Sequence, residues 1–312
     1  MGQTVRAILL GVVVVTLAIA AIWQSIAHFD LDPGSFLAPM VFLPAPFLLG
    51  LFYSYIRKDD RAAAMLLGIC FILVYAPIAT VLSYFAFNVN GPRIDDQLAA
   101  IDRAIGFHWP SVMLGASNHP FAVHVMKDVY FFGVWEIPLL VFLLGWRAEP
   151  SDISKFCLSL AVCSYLTIIF WAIWPSFGAN TVYDLPPEVF RKIFVFGDAN
   201  YGKSLLEMYR HGPGRIAAGN IRGVIGFPSY HTVLACAAIW FTRKSRLLRW
   251  IFLPMNILVI ASTPIQGGHH LVDLVGGIAV SIAGIAIASW AINAAMARDA
   301  LRMASLKLRT AS

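Results

Sequence analysis

"GGHHLVDLVGGIAVSIAGIAIASWAINAA", residues 267–295, sets two histidines and an aspartate at the mouth of a long apolar run. From His270 onward the run is long enough to cross a bilayer as a helix, since about 30 Å of hydrocarbon at about 1.5 Å per residue takes about 20 residues. Titratable groups therefore sit where a membrane span begins. Such groups are costly near hydrocarbon and are read first as functional.

The rest of the chain is of the same kind. Of its 312 residues 59% are hydrophobic and only 13% charged, with mean hydropathy +0.73, well beyond the roughly half apolar usage of soluble domains. Apolar runs lie at about 5–27, 35–56, 61–87, 121–146, 153–175, 229–242, 250–263 and 270–295. The sixth and seventh are short for a full crossing. The reading is an all-α integral membrane protein of about eight transmembrane helices. The first run exceeds a signal-peptide core and is read as retained, and "MGQTVR" lacks the Ser or Thr of a myristoylation pattern.

Orientation follows the Lys and Arg of the short loops. Arg6, Arg57, Lys58, Arg61, Arg147, Lys155, Arg243, Lys244, Arg246, Arg249, Arg298, Arg302, Lys307 and Arg309 are fourteen of twenty-three basic residues, and eight spans put them on one side. Both termini are expected in the cytoplasm. The four cysteines fall inside spans and read as small core residues. With no internal repeat, the chain reads as one membrane domain: two N-terminal helices over 1–60, a six-helix core over 61–295 and a basic tail over 296–312.

The loop 176–228 breaks the charge rule, since it falls outside yet carries Arg191, Lys192, Lys203, Arg210, Arg215 and Arg222 against Asp184, Glu188, Asp198 and Glu207. Either a long loop tolerates bases that touch anionic lipid, or these bases collect an anionic group at a glycine-rich backbone. The loop alone leaves both open. Segment 98–111, with apolar residues at 98, 101 and 105, reads as lying in the outer interface. Lys127 and Asp128 near the outer end of the fourth span are either site-lining or structural, and deeper Glu136 is placed to pair with another span.

At the loop's end "FPSYHT" opens the sixth span. Pro228 suits a first helical position, and the amides of Ser229 and Tyr230 would face outward, where a helix N-terminus attracts phosphate. From His231 to His269 is 38 residues, one helix in and one back, so both histidines return to one face. His269 and Asp273, four apart, share a helix face and can hydrogen-bond, which fixes the tautomer and raises the basicity of the free nitrogen. His270 points about 100° away. The bland alternatives are a solvated interfacial histidine and a structural His/Asp lock. A zinc site of His231, His269, His270 and Asp273 lacks a signature such as HExxH.

These residues resemble the type 2 phosphatidic acid phosphatase superfamily, whose pattern runs KxxxxxxRP, PSGH, SRxxxxxHxxxD. "PSYH" at 228–231 departs from the second element at Tyr230, and "STPIQGGHHLVD" at 262–273 has Thr263 in place of arginine. Lys203 and Arg210 have the first element's separation, with His211 where proline should stand. "FPSYH" with "GGHHLVDLVGG" is most similar to the inositol phosphorylceramide synthase branch. The motifs cover about residues 170–277.

The resemblance implies a six-helix core and a phosphohistidine at His269, held by Asp273, with His231 as acid and then base. Lys203 and Arg210 would bind phosphate. Arg222, Arg215 and Ser229 are further candidates, an arginine of the loop replacing the one absent at Thr263. No metal or other cofactor is implied. The expected partners are a phospholipid or lipid phosphate donor, a lipid alcohol acceptor and membrane lipids, with no nucleic acid, and the site opens to the extracytoplasmic or lumenal side. The alternative acceptor is water, making a lipid phosphate or prenyl diphosphate phosphatase. A transporter would instead show a repeat and midplane charges on several helices.

Overall fold

The computed structural model describes residues 3–147, 149–193 and 200–311. Asp198 and the side chains of Arg147, Lys307 and Arg309 lie outside the described set. Among the described residues there is no strand, only an isolated parallel bridge between Leu31 and Ile216. The helices are α1 (Gln3–Ala27), α2 (Pro44–Phe52), α3 (Asp60–Phe85), α4 (Asp95–Ala104), α5 (Trp109–Ser117), α6 (Pro120–Arg147), α7 (Pro150–Ile173), α8 (Pro187–Ile193), α9 (Tyr201–His211), α10 (Tyr230–Thr242), α11 (Arg246–Gln266) and α12 (Leu271–Ala311).

Among the described residues seven stretches are long and apolar enough to cross a membrane: Gln3–Ala27, Met40–Arg57, Asp60–Val89, Pro120–Trp146, Pro150–Ile173, Arg246–Gln266 and Leu271–Ser305. The chain is an all-α integral membrane protein. The remaining expected span, the sixth, is α10, with only 13 residues. Side chains such as Leu10, Val14, Ile282 and Trp290 stand outward, as lipid contact requires.

The structure differs from the expected boundaries in four places. The second span is not one regular helix but two 3-10 turns, α2 and a π turn, Tyr53–Arg57, because Pro39, Pro44 and Pro46 remove backbone donors. The seventh is not short: Ser245 caps α11 by accepting from the Leu248 amide, so the basic turn supplies its first residues. The eighth does not stop at 295, since the tail is rich in good helix formers and continues α12. Segment 98–111 is not a simple interfacial stripe. The buried positions of α4 are Asp95, Leu98, Ala99 and Asp102, while Ile101 and Ile105 are exposed.

α10 is the hub, packed against α6, α7, α11 and α12. α3 joins α6 and α7, α1 lies on α3, α7 and α12, and α2 leans on α3. One end of the bundle gathers basic turns: Lys244 Nζ donates to both Asp152 oxygens at 3.0 and 3.2 Å, and the Thr4 amide donates to Asp299. The first residues of α1 and the far part of α12 therefore share that end. Between the ends, the Asn256 amide on α11 donates to buried Glu136 on α6 at 3.2 Å, the pairing expected for that carboxyl.

At the other end α4, α5, α8 and α9 close over the spans. Two adjacent glycines bring α12 close to α10 and the residues before it. A Cβ on Gly277 would lie 2.6 Å from the Ser229 carbonyl oxygen and 2.8 Å from Thr232 Cβ, and one on Gly276 would strike the Phe227 ring. Gly277→Val is expected to cost about 1–3 kcal/mol by overpacking, read as a lower thermal unfolding midpoint in detergent. Gly11→Ala, where a new Cβ meets nothing, is the control and leaves the midpoint unchanged.

Candidate active site

The catalytic candidates assemble at the closed end. Between α11 and α12 the chain turns through Gly267, Gly268 and the two histidines. Gly268 adopts φ +66°, a left-handed conformation that glycine takes without a Cβ penalty. The Thr263 carbonyl accepts from the Gly267 amide at 2.9 Å and the His269 amide at 3.4 Å, so the residue in the motif's arginine position holds this turn through its backbone.

His269 and Asp273 are both buried, with His269 Nδ1 3.0 Å from Asp273 Oδ2. The same oxygen accepts from the His270 amide at 2.9 Å. Engaging Nδ1 with the carboxylate makes it the protonated nitrogen and leaves Nε2 with its lone pair free. Such a pair supplies an oriented nucleophile.

His231 occupies the first turn of α10. Its Nδ1 is 3.2 Å from the Tyr130 hydroxyl of α6, and the two rings stack with centroids 4.1 Å apart. His231 and His269 are close enough to interact electrostatically. A Cβ placed on Gly267 would sit 2.7 Å from Tyr130 Oη and 2.6 Å from His269 Cδ2, so these side chains border the same small space. Gly267 keeps that space open.

The two motifs are also joined through the backbone. α10 starts two residues later than expected: Tyr230, not Pro228, is its first residue, and the side chain of the Ser229 cap accepts from the Thr232 amide at 3.4 Å. The Ser229 amide does not face outward but donates to the Asp273 carbonyl at 3.0 Å. The first-turn amides of Tyr230 and His231 have no acceptor within the helix. The Tyr230 side chain turns away from this point and donates to the Leu160 carbonyl of α7.

The expected phosphate-binding residues are spread more widely. Lys203, exposed on α9, lines a cavity of about 150 Å³ with Asn180, Tyr183, Asp184 and Asn200. Asn180 connects this cavity to the turn, since a Cβ on Gly268 would lie 3.1 Å from its side chain. Arg210 is exposed and paired with Glu207 at 3.4 Å. Arg215 donates to Asp32 at 3.0 Å, and its guanidinium holds that carboxyl below the usual range. Arg222 lies beside Arg215 in a second cavity of about 370 Å³, its amide accepted by the Tyr84 hydroxyl. Thus His231, His269, Asp273 and Ser229 come together, Lys203 shares a cavity with Asn180 beside Gly268, and Arg210 and Arg215 are engaged in surface ion pairs.

Sequence reasoning missed Tyr130, Asp95 and Asp102. Tyr130 carries no signal in an apolar run, although Lys127, half-buried, precedes it by one turn on the same face; Asp128 is exposed beside His124. The acids did carry one. Asp95, Leu98, Ala99 and Asp102 follow the spacing of a buried helix face, with carboxylates in two core positions. Asp102 accepts from the amides of Leu271 and Val272 at 2.8 and 3.0 Å, capping α12 from a distant helix.

No curated protein and no solved structure matches the chain. The family model described as PAP2 superfamily matches residues 96–287, from α4 into α12, a stretch that includes Asp102, Tyr130, His231, His269 and Asp273. With more than half of its length matched, the chain belongs to the PAP2 superfamily.

Proposed function

We propose that this protein is a membrane lipid phosphotransferase that moves a phospho-headgroup from a phospholipid to a lipid alcohol, in the manner of the inositol phosphorylceramide synthases its motifs resemble. Membership of the superfamily supports phosphatase or phosphotransferase chemistry on lipid phosphates. The observation that carries the reading is the buried His269–Asp273 pair, its Nε2 free, beside a second histidine held by Tyr130.

In the first half, His269 Nε2 forms a bond to phosphorus while the bond from phosphorus to the lipid oxygen breaks. That oxygen leaves with the electron pair and takes a proton from His231. The His269 ring becomes cationic and Asp273 balances it. In the second half, His231 removes the proton of the incoming hydroxyl, which attacks phosphorus and releases His269. Lys203 with Asn180, and Lys127 one turn from Tyr130, are the groups best placed to meet the phosphoryl oxygens, where positioning and electrostatics supply most of the rate.

The catalytic core is assigned to 61–295, with 1–60 and 296–312 peripheral to the chemistry; the sparse burial of the Met40–Arg57 span supports this. Both termini are assigned to the cytoplasm and the site to the extracytoplasmic or lumenal face. The clustering of basic turns at the end opposite the histidines supports that sidedness. A cysteine introduced at Ser245 should react with a membrane-impermeant thiol reagent only from the cytoplasmic side.

The deciding assay presents labelled phospholipids in mixed micelles, with and without ceramide or diacylglycerol, to wild type and His269→Ala, and resolves the lipid products. A new phospho-headgroup lipid that needs the acceptor is expected, and it falls by on the order of 10³-fold or more in the variant. Phosphate release without acceptor dependence replaces transfer by hydrolysis, and undiminished activity in His269→Ala removes the mechanism. Tyr130→Phe keeps the stacked ring but loses the hydroxyl; kcat is expected to drop roughly tenfold with little change in KM, as an orienting hydrogen bond of about 1 kcal/mol or more requires.

A further inference from the structure

Beneath the His269–Asp273 pair lies a second group of ionisable side chains that the chemistry above does not use. His270 is fully buried, with Nδ1 3.5 Å from Asp102 Oδ2 and Nε2 3.8 Å from Asp95 Oδ1. Both distances are long for hydrogen bonds, and among the described residues neither ring nitrogen has a hydrogen-bond partner. They are distances of an ion pair. The two acids have separate work: Asp95 Oδ1 accepts from the Ser176 hydroxyl and the Phe177 and Gly178 amides, and Asp102 caps α12. The Ala179 amide in turn donates to the Gly268 carbonyl at 2.7 Å, so the segment Asp95 holds also holds the catalytic turn.

We propose that Asp95, His270 and Asp102 form a charged seat for the catalytic pair, in which His270 as an imidazolium positions Asp273, and through it His269, without touching the lipid. The proposal rests on the His269 mechanism given above. The charges that meet here are Asp95 and Asp102 from α4, Asp273 from α12, and Arg93, whose Nε is 3.6 Å from Asp95 Oδ2. His269 faces the group through Asp273. Three carboxylates then oppose two fixed cations, leaving one negative charge for the His269 ring to meet as it becomes cationic.

A neutral His270 breaks this balance. It would leave buried carboxylates facing one another with a single cation, and removing one partner of a buried ion pair is strongly unfavourable. Burial by itself lowers the His270 pKa, but pairing with Asp95 and the charges of Asp273, Asp95 and Asp102 outweigh it and hold the imidazole above its usual value. A group whose folded pKa is raised stabilises the fold fully below its unfolded pKa, about 6.5 for histidine, and loses that contribution as pH rises through the folded value.

The test uses detergent-purified full-length wild type, His270→Gln, Asp102→Asn and His269→Ala, each followed by thermal unfolding across pH 5 to 9 and by lipid turnover. Wild type should lose thermal stability above about pH 6.5, and His270→Gln should lack that limb while its kcat falls roughly tenfold or more. Asp102→Asn keeps an acceptor for the α12 amides but removes a charge, so the limb should move to lower pH; it carries the test if His270→Gln does not fold. The same limb in wild type and His270→Gln, or an unmoved limb in Asp102→Asn, overturns the proposal. His269→Ala separates the two claims: it should abolish turnover yet keep the pH limb, whereas retained turnover refutes the His269 mechanism and leaves the stability result to judge the seat.

Discussion

The candidate site depends on four residues, 267–270, that belong to no helix and that carry the histidine proposed as nucleophile. Their polar groups cannot be left unpaired in a buried position. Thr263 takes two of their amides, Asp273 takes the His270 amide and the His269 ring, and Ala179 donates to Gly268. Each of these contacts fixes a different element against the turn. The convergence of α4, α6, α10 and the segment after α7 on one point follows from this need, because α11 and α12 alone offer too few partners.

Asp102 is the clearest expression of the constraint. A helix that starts at the water boundary normally caps itself with a nearby Ser, Thr or Asp. α12 starts inside the protein, and its first amides are met by a carboxylate 169 residues earlier in the chain. In the proposed seat that carboxylate finds its counter-charge in His270, 3.5 Å away. The doubled histidine would thus serve two roles, one at the proposed reacting space and one facing inward.

Much of this was legible in the chain. The long apolar runs mark the spans because only intra-segment hydrogen bonding satisfies a backbone in hydrocarbon, and His269–Asp273 is a local relation that helical spacing reveals directly. What depends on neighbours was not. Tyr130 meets His231 only after α6 and α10 pack, and no local pattern announces that meeting. The roles of Arg210 and Arg215 turned on acids: Glu207 sits three residues from one, while Asp32 lies 183 residues from the other. Asp95 and Asp102 fall between: their spacing is that of one helix face, but only the packing of α4 decides that this face is buried.

The short hub helix sets a depth. α10 begins at the histidine site and ends beside the basic turn, and its 13 residues measure only about 20 Å where the hydrocarbon is about 30 Å thick. With the sidedness proposed above and the basic turn at the cytoplasmic headgroups, the proposed site would lie about 10 Å beneath the outer headgroups. In that reading a lipid need not leave its leaflet to react; it has only to sink its phosphate sideways into the protein while its chains stay among other chains. The thickness of the surrounding bilayer then becomes a property of the enzyme, because thinning it lifts the site toward the headgroups and thickening it draws the two apart.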